Sequence, residues 1–287
     1  MNHSAPADTQ ARAGTAGLER KEAALYRSLT DLPGLIVAFS GGVDSAYLAY
    51  AATRVLGAKA LCVTADSPSY PERHRQMAMR LAREFGFQHE IIRTDEMSRP
   101  EYRANPANRC YFCKQELYTH LSAIASDRGV RAIADGSNAD DRGDYRPGRQ
   151  AAREFGVLSP LDAADLTKDE IRQLSHRAGL PTWDEPASAC LSSRIPYFAE
   201  VTDEKLRMIE SAESVLRDLG FRICRVRHHD TIARLELGRD EIARALEPDV
   251  AETIDRELRA LGYEHVTIDL RGYRLGSLND ALRLRPV

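Results

Sequence analysis

Leu35-Ile36-Val37-Ala38-Phe39-Ser40-Gly41-Gly42-Val43-Asp44-Ser45 decides the fold of this chain. Five apolar residues run straight into a Ser-Gly-Gly-Val-Asp-Ser turn, after which Tyr47, Leu48, Ala51, Ala52 and Val55 recur at helical spacing. The pattern predicts a buried strand, a glycine turn and a helix over Asp44–Leu56. A turn of this kind is an anion site, because its glycines let the backbone approach a ligand and the first-turn N–H groups have no intrahelical partner. Ser40 and Ser45 flank that nest with hydroxyls that can donate to phosphate oxygens. The Lys-[Ser/Thr] ending of a Walker A loop is missing. An ordinary strand–turn–helix gives no reason for both serines and the acid. Asp44 either organises Mg2+ at a polyphosphate or caps the helix.

Outward from this loop, strand and helix alternate. Strands are expected at Leu35–Phe39, Ala60–Ala65, Glu90–Arg93 and Arg131–Ala134, and helices near Asp44–Leu56, Pro71–Phe85 and Lys114–Asp127. Connections of this length imply βαβ crossovers and a parallel sheet covered on both faces. Ligands of such sheets bind at the carboxyl ends of the strands. Three segments lie there: Ser40–Ser45; Asp66-Ser67-Pro68; and Asp135-Gly136-Ser137-Asn138 with Asp140 and Asp141. The nucleoside is expected near Asp66, Ser67 and Gly136.

Thr167-Lys168-Asp169-Glu170 reads as a capping box, opening a helix that Gly179 and Pro181 end. Pro181 to Pro196 then reads as an ordered loop between domains. Beyond Thr202 a helix, the strands Arg222–His228 and Ile232–Leu237, two short helices and a strand His265–Leu270 suggest a smaller α+β domain built on a hairpin. The expected division is a disordered tail over 1–18, a nucleotide domain over 19–185, and a linker with the α+β domain over 186–287.

With 287 residues, 43% hydrophobic and 29% charged, the composition is that of a soluble globular protein. No apolar run approaches the ~18 residues of a membrane span, and no basic-then-apolar leader opens the chain. A net charge of −3 supplies no global drive toward nucleic acid. A cytoplasmic protein is expected. Five cysteines without an export signal favour metal or nucleophile chemistry over disulfides. Cys62 and Cys224 fall in apolar strands and read as structural, whereas Cys110, Cys113 and Cys190 fall in polar or turn-rich segments. Asn108-Arg109-Cys110-Tyr111-Phe112-Cys113-Lys114 is a CxxC ahead of a helix, which can bring two thiolates onto one ion or cluster, or form a redox pair.

The Ser-Gly-Gly-Val-Asp-Ser loop resembles the signature of the PP-loop ATP pyrophosphatases. Asp-Gly-Ser-Asn, the Asp144–Gly148 segment and Ser159-Pro160-Leu161 extend that resemblance over most of 30–185. Glu-Pro-Ala-Ser-Ala-Cys-Leu-Ser-Ser-Arg-Ile-Pro-Tyr at 185–197, with Val-Arg-His-His-Asp and Ala-Arg-Leu-Glu at 226–236, narrows it to the LarE family of ATP-dependent sulfur transferases. The resemblance implies a Rossmann-like PP-loop sheet, ATP and Mg2+. It also implies a reaction in which a carboxylate of pyridinium-3,5-biscarboxylic acid mononucleotide is adenylated and then thiolated during nickel-pincer cofactor synthesis. Cys190 stands in the sulfur-donor position. The extra CxxC departs from the single-cysteine pattern. Family members with three such cysteines imply a [4Fe–4S] cluster held by Cys110, Cys113 and Cys190 with a fourth iron free to carry sulfide, the alternative being a sacrificial Cys190 that ends as dehydroalanine.

Other candidates are less marked. Arg146 and Arg149 follow the Asp-Gly-Ser-Asn loop and read as phosphate or substrate binders, as does Asn138 within it. Strand alternation puts Arg225 and Arg227 on one face, opposite Cys224, where they would bind a substrate phosphate or carry surface charge. Arg73 reads as a phosphate contact or a solvated arginine. A homo-oligomer acting on a small nucleotide is expected, with a tRNA-thiolating enzyme or an ATP-regulated metal or redox sensor as alternatives.

Overall fold

The computed structural model describes residues 6–143, 147–186, 189–274 and 276–279. The chain forms two compact units. The first comprises Met1–Asp66, Glu72–Thr94 and Lys114–Glu185; the second comprises Ser67–Pro71, Asp95–Cys113 and Pro186–Val287.

A four-stranded parallel sheet forms the first unit: β1 (Leu35–Ala38), β2 (Ala60–Asp66), β3 (Gln88–Arg93) and β4 (Ile133–Ala134), in the order β3-β2-β1-β4. Leu35 pairs with Ala60, and Ile36 with Ile133. All four β1 residues are buried, as the unbroken apolar run requires of a central strand. β3 lies at the edge, and none of its residues is fully buried. The chain leaves β1 for β2 on one side and returns to β4 on the other, so the strand order reverses between β1 and β4. That reversal is where an open α/β sheet parts to admit a ligand.

Helices α1 (Pro6–Thr30), α2 (Val43–Leu56) and α3 (Glu72–Phe85) come first, then α4 (Pro100–Arg103) and α5 (Arg109–Arg128). They are followed by α6 (Pro147–Glu154), α7 (Pro160–Ala163) and α8 (Lys168–Arg177). α1 begins within the segment 1–18 that the sequence marks as a tail. Its alanines favour helix, neither Gly14 nor Gly17 stops it, and Leu18, Leu25 and Leu29 sink into the core that holds Leu35, Val37, Tyr47 and Leu48. α8 opens with the expected capping box, the Thr167 hydroxyl accepting from the Glu170 N–H and Glu170 accepting from the Thr167 N–H.

The second unit carries α9 (Asp203–Asp218), α10 (Ile242–Ala245) and α11 (Pro248–Ala260). Its sheet is β5 (Cys224–His229), β6 (Ile232–Leu237) and β7 (His265–Ile268), with β5 antiparallel and β7 parallel to β6. Among the described residues, apolar clusters fill it. One gathers Phe221, Val226, Leu235, Leu237 and Leu258. Another joins Tyr102, Leu191, Ile195, Val201, Leu206 and Ile209, with Phe112 and Cys113 packed against them. Residues 95–113 thus pack with the chain around Cys190.

Candidate functional site

In the first unit the glycine loop closes on itself. The Ser45 hydroxyl donates to the Gly42 carbonyl at 3.1 Å, accepts from the Ser40 N–H at 3.2 Å and lies 3.0 Å from the Ser40 hydroxyl. Ser45 is buried and braces the turn, whereas Ser40 is exposed. Gly42 caps α2 without any side-chain bond, leaving the first-turn N–H groups for a ligand. Gly41 takes φ +65°, and a Cβ there would lie 3.0 Å from the Ala78 backbone nitrogen of α3. Gly136, after β4, approaches from the other side: its Cβ would stand 3.0 Å from the Ser45 nitrogen and 3.2 Å from the Asp44 Cβ. Two glycines therefore let three backbone segments meet around one concave turn.

Asp44, Asn138 and Lys168 join there. The Asn138 amide donates to Asp44 Oδ1 at 3.3 Å, and the Lys168 ammonium pairs with Asp44 Oδ2. The Lys168 N–H donates to Asp140 at 2.8 Å. Buried Asp135 shapes the loop by accepting from Tyr118, Ser159 and both the N–H and hydroxyl of Ser137 at 2.9 to 3.1 Å. Asp66 ends β2, its carbonyl accepting the Thr94 N–H at 3.1 Å. Arg149 is bound to Asp162 at 2.6 Å, and its second terminal nitrogen is buried with no partner among the described residues. Arg73 pairs with Glu185 at 2.8 Å. Arg146 lies outside the described residues.

In the second unit, Ser67 and Ser69 donate to the buried Glu96 carboxylate at 2.6 and 2.8 Å, so the Ser67 hydroxyl already has a protein acceptor. The Ser69 carbonyl holds the Leu191 N–H at 2.8 Å, beside Cys190. Segment 102–109 grips the same loop. The Tyr102 hydroxyl lies 2.7 Å from the Ser192 hydroxyl, and the Asn105 amide donates to the Pro196 and Ala199 carbonyls at 2.7 and 3.0 Å. Asn105 holds a left-handed φ of 52°, and its side-chain oxygen accepts from Arg109. Arg109 also donates to the Ser192 carbonyl at 3.0 Å, and its other terminal nitrogen stands 4.0 Å from Cys190 Sγ. Burial opposes the Arg109 charge, yet the sulfurs of Cys190 and Cys110 raise its pKa further still. Burial, then Cys190 and Cys113, push the Tyr102 hydroxyl well up.

The CxxC lies inside α5, not ahead of it, so Cys110 and Cys113 stand one turn apart. Cys110 is exposed, while Cys113 and Cys190 are half-buried. No disulfide joins any of the five cysteines. Among the described residues, no three His, Cys, Asp or Glu side chains stand together as a metal site. Arg194 anchors the loop from below, donating to the Ala189 and Cys190 carbonyls at 2.7 and 2.9 Å and to buried Glu213.

The hairpin arginines depart from the reading of a basic face. Arg227 is buried, donating to Glu236, Ser277 and the Ser193 carbonyl, each at 2.7 Å. Arg225 is largely inside, over the Tyr273 ring at 5.4 Å; burial and then Arg194 lower its pKa. Both hairpin faces are covered, because a second layer of chain lies over the arginine side. Alternation assigned the side but could not show that it is packed. The sequence reading also missed Lys168, Asn105, Arg194 and Glu213. Lys168 lies within the capping box and Arg194 within the cysteine segment, so motif position could have marked both; for Glu213, one acid on an amphipathic helix, no such mark exists.

Comparison with known proteins places this geometry. The asparagine synthase family model matches residues 22–105. An uncharacterized protein of Synechocystis, slr1717, is 43% identical over 265 residues, which is 92% of this chain and 99% of that protein. The pyridinium-3,5-bisthiocarboxylic acid mononucleotide synthase of Lactiplantibacillus plantarum is 38% identical over 93% of this chain and 96% of its own length. A glutamine-hydrolysing GMP synthase of Staphylococcus saprophyticus shares 25% identity over 64% of the chain. The two longer matches run through both units, including the Cys190 loop as well as the glycine nest. The chain therefore belongs to the LarE family of PP-loop, ATP-dependent sulfurtransferases.

Proposed function

We propose that this protein uses ATP and Mg2+ to adenylate the carboxylates of pyridinium-3,5-biscarboxylic acid mononucleotide and converts them to thiocarboxylates, in nickel-pincer cofactor synthesis. The observation that carries this reading is the near full-length identity to the L. plantarum synthase, which spans both the glycine nest and Cys190. Activation is required because a carboxylate is a poor electrophile with a poor leaving group. The loop N–H groups at Ser40–Ser45, with Lys168 beside them, supply positive potential for a polyphosphate. Mg2+, when bound, neutralises polyphosphate charge, and Asp44 is the acid at the loop that fits it. Asn138, Gly136 and Asp66 border the nucleoside. Arg149 has a buried nitrogen to spare for a phosphate, as does Arg227.

Cys190 bears the sulfur that attacks. In the sacrificial route, the deprotonated sulfur forms a bond to the acyl carbon and AMP leaves with the electron pair of its C–O bond. A base then takes the Cys190 Cα proton, the Cβ–S electron pair goes to sulfur, and thiocarboxylate and dehydroalanine result. A cluster on Cys110, Cys113 and Cys190 is a second reading, favoured by their common position in the second unit. Cys190 and Cys110 both bear on Arg109, and Cys190 and Cys113 both bear on Tyr102, so all three thiols border one small part of that unit.

The test is anaerobic turnover with ATP, Mg2+ and the dicarboxylate mononucleotide, following AMP, pyrophosphate and thiocarboxylate, with iron analysis before and intact mass after. Pyrophosphate and thiocarboxylate with loss of the elements of hydrogen sulfide from Cys190 support the sacrificial route. Iron with an unchanged protein mass supports the cluster. Cys190→Ala retains pyrophosphate release but makes no thiocarboxylate. Absence of pyrophosphate release by the native protein refutes the function.

A further inference from the structure

The peptide group between Phe39 and Ser40, just past β1, is the last before the glycine turn, and hydroxyls hold it at both ends. Its carbonyl accepts from the Thr64 hydroxyl at 2.7 Å, and its N–H donates to the Ser45 hydroxyl at 3.2 Å. Carbonyl and N–H point in opposite directions across a planar trans unit, so the two bonds together fix the plane from which the turn departs. Thr64 in turn lies 2.8 Å from His89 Nε2. Register explains the meeting. Val37 pairs with Cys62 and Cys62 with His89, so period two puts Val37, Phe39, Cys62, Thr64 and His89 on one face of the sheet.

The protons of this chain of bonds can be assigned. The Phe39 carbonyl can only accept, and the Thr64 hydroxyl has a single proton. That proton lies toward the carbonyl, because two oxygens 2.7 Å apart with no proton between them repel. His89 Nε2 must then donate to Thr64, which fixes a hydroxyl that would otherwise rotate. Thr64 is 1% exposed, so solvent does not compete for it. The His89 ring also meets the Phe39 ring edge-on at 5.5 Å.

We propose that His89 is a positioning residue for the nucleotide: its Nε2–H, acting through Thr64, orients the Phe39–Ser40 peptide group and so aims the first-turn N–H groups at the polyphosphate. This rests on reading Ser40–Ser45 as the ATP site. From the edge strand β3, two strands away from β1, His89 reaches the loop through one hydroxyl.

Two experiments separate this role from a structural one. His89→Phe keeps a ring against Phe39 but removes the donor, whereas His89→Gln keeps an N–H near the place of Nε2. In pyrophosphate release, KM for ATP should rise about 3- to 10-fold in His89→Phe, the range that loss of one hydrogen bond implies, and return toward the native value in His89→Gln. KM for the dicarboxylate mononucleotide should hold in both. In a Thr64→Val background His89→Phe should add nothing, because the relay is already cut. Equal rises in the two KM values, no rise for ATP, or full additivity with Thr64→Val overturns the proposal. The second experiment uses the native protein and needs no variant to fold. Burial lowers the His89 pKa against the pull of Glu90, so the ring is neutral at about pH 8. Nitrogen NMR should then find its proton on Nε2 and Nδ1 bare. A proton on Nδ1 overturns the proposal whichever substrate the enzyme takes, whereas missing pyrophosphate in the native protein would refute the functional reading alone.

Discussion

Glu213 and Arg194 share two hydrogen bonds of 2.8 and 3.1 Å with both side chains closed to solvent. The same guanidinium holds the Cys190 carbonyl, and the same carboxylate accepts the Val226 N–H at 3.2 Å. One ion pair therefore ties the cysteine loop to α9 and to the hairpin. Burial alone would raise the Glu213 pKa; Arg194 first, then Arg225 and Arg217, hold it down to about 2.

Glu213 is more acidic folded than unfolded, so its contribution is present above the ordinary pKa of 4.5 and lost as pH falls toward about 2. The shift corresponds to roughly 3 kcal/mol at neutral pH. Denaturant unfolding of wild type should lose stability across that window. Glu213→Gln, which strands a buried Arg194, should cost about 3–5 kcal/mol at pH 7 and show a shallower acid slope. Equal acid slopes in the two proteins would count against the pair.

Gly41 and Gly42 should behave differently. Gly41→Ala needs both a left-handed backbone, costing about 1–2 kcal/mol, and room that Ala78 occupies at 3.0 Å. At Gly42 φ is −81°, and a Cβ meets only the Ser40 hydroxyl at 3.5 Å. Thermal melts should show the loss at Gly41→Ala and little at Gly42→Ala, and ATP-dependent AMP formation should fall more in the first. The reverse order would disprove this loop geometry.

Lys168→Met should separate activity from stability. Its partner Asp44 is partly solvated, and such pairs contribute about 0–1 kcal/mol. Unfolding free energy should stay within that margin, while pyrophosphate release drops because the loop loses its nearest ammonium. Unchanged release kinetics would remove Lys168 from the nucleotide site.

Native-state alkylation should divide the cysteines. Burial pushes the Cys62 thiol up to about 12 and, with Glu213, the Cys224 thiol up to about 11. Iodoacetamide near neutral pH should therefore modify Cys110, Cys113 and Cys190 first and reach Cys62 and Cys224 only after denaturation. Early label on Cys62 would contradict the buried register Val37↔Cys62.

The sequence disclosed what is local. The apolar run 35–39, the glycine turn and the capping box at Thr167 each carry their structure within a few residues, and the parallel sheet follows from their spacing. Contacts between distant segments left no such trace. Lys168 meets Asp44 across 124 residues, and Tyr102 meets Ser192 across 90. The hairpin shows the limit clearly: period two put Arg225 and Arg227 on one side, but whether that side faces water depends on Ser193, Glu236 and Ser277, which pairing alone does not specify. Cys-Tyr-Phe-Cys lacks the polar face of an amphipathic pattern, so periodicity alone does not extend α5 back over the CxxC.

Because residues 95–113 belong to a unit most of whose chain begins at Pro186, biosynthesis imposes a delay on the cysteine pair. A ribosome that has released only the first 185 residues has exposed Tyr102, Asn105 and Arg109 with none of their acceptors at Ser192, Pro196 and Ala199 yet made. The buried cation acquires its sulfur neighbour only when the last third of the polypeptide emerges. A truncated gene product ending before Cys190 would thus carry an ungripped CxxC and a complete glycine nest in the same polypeptide.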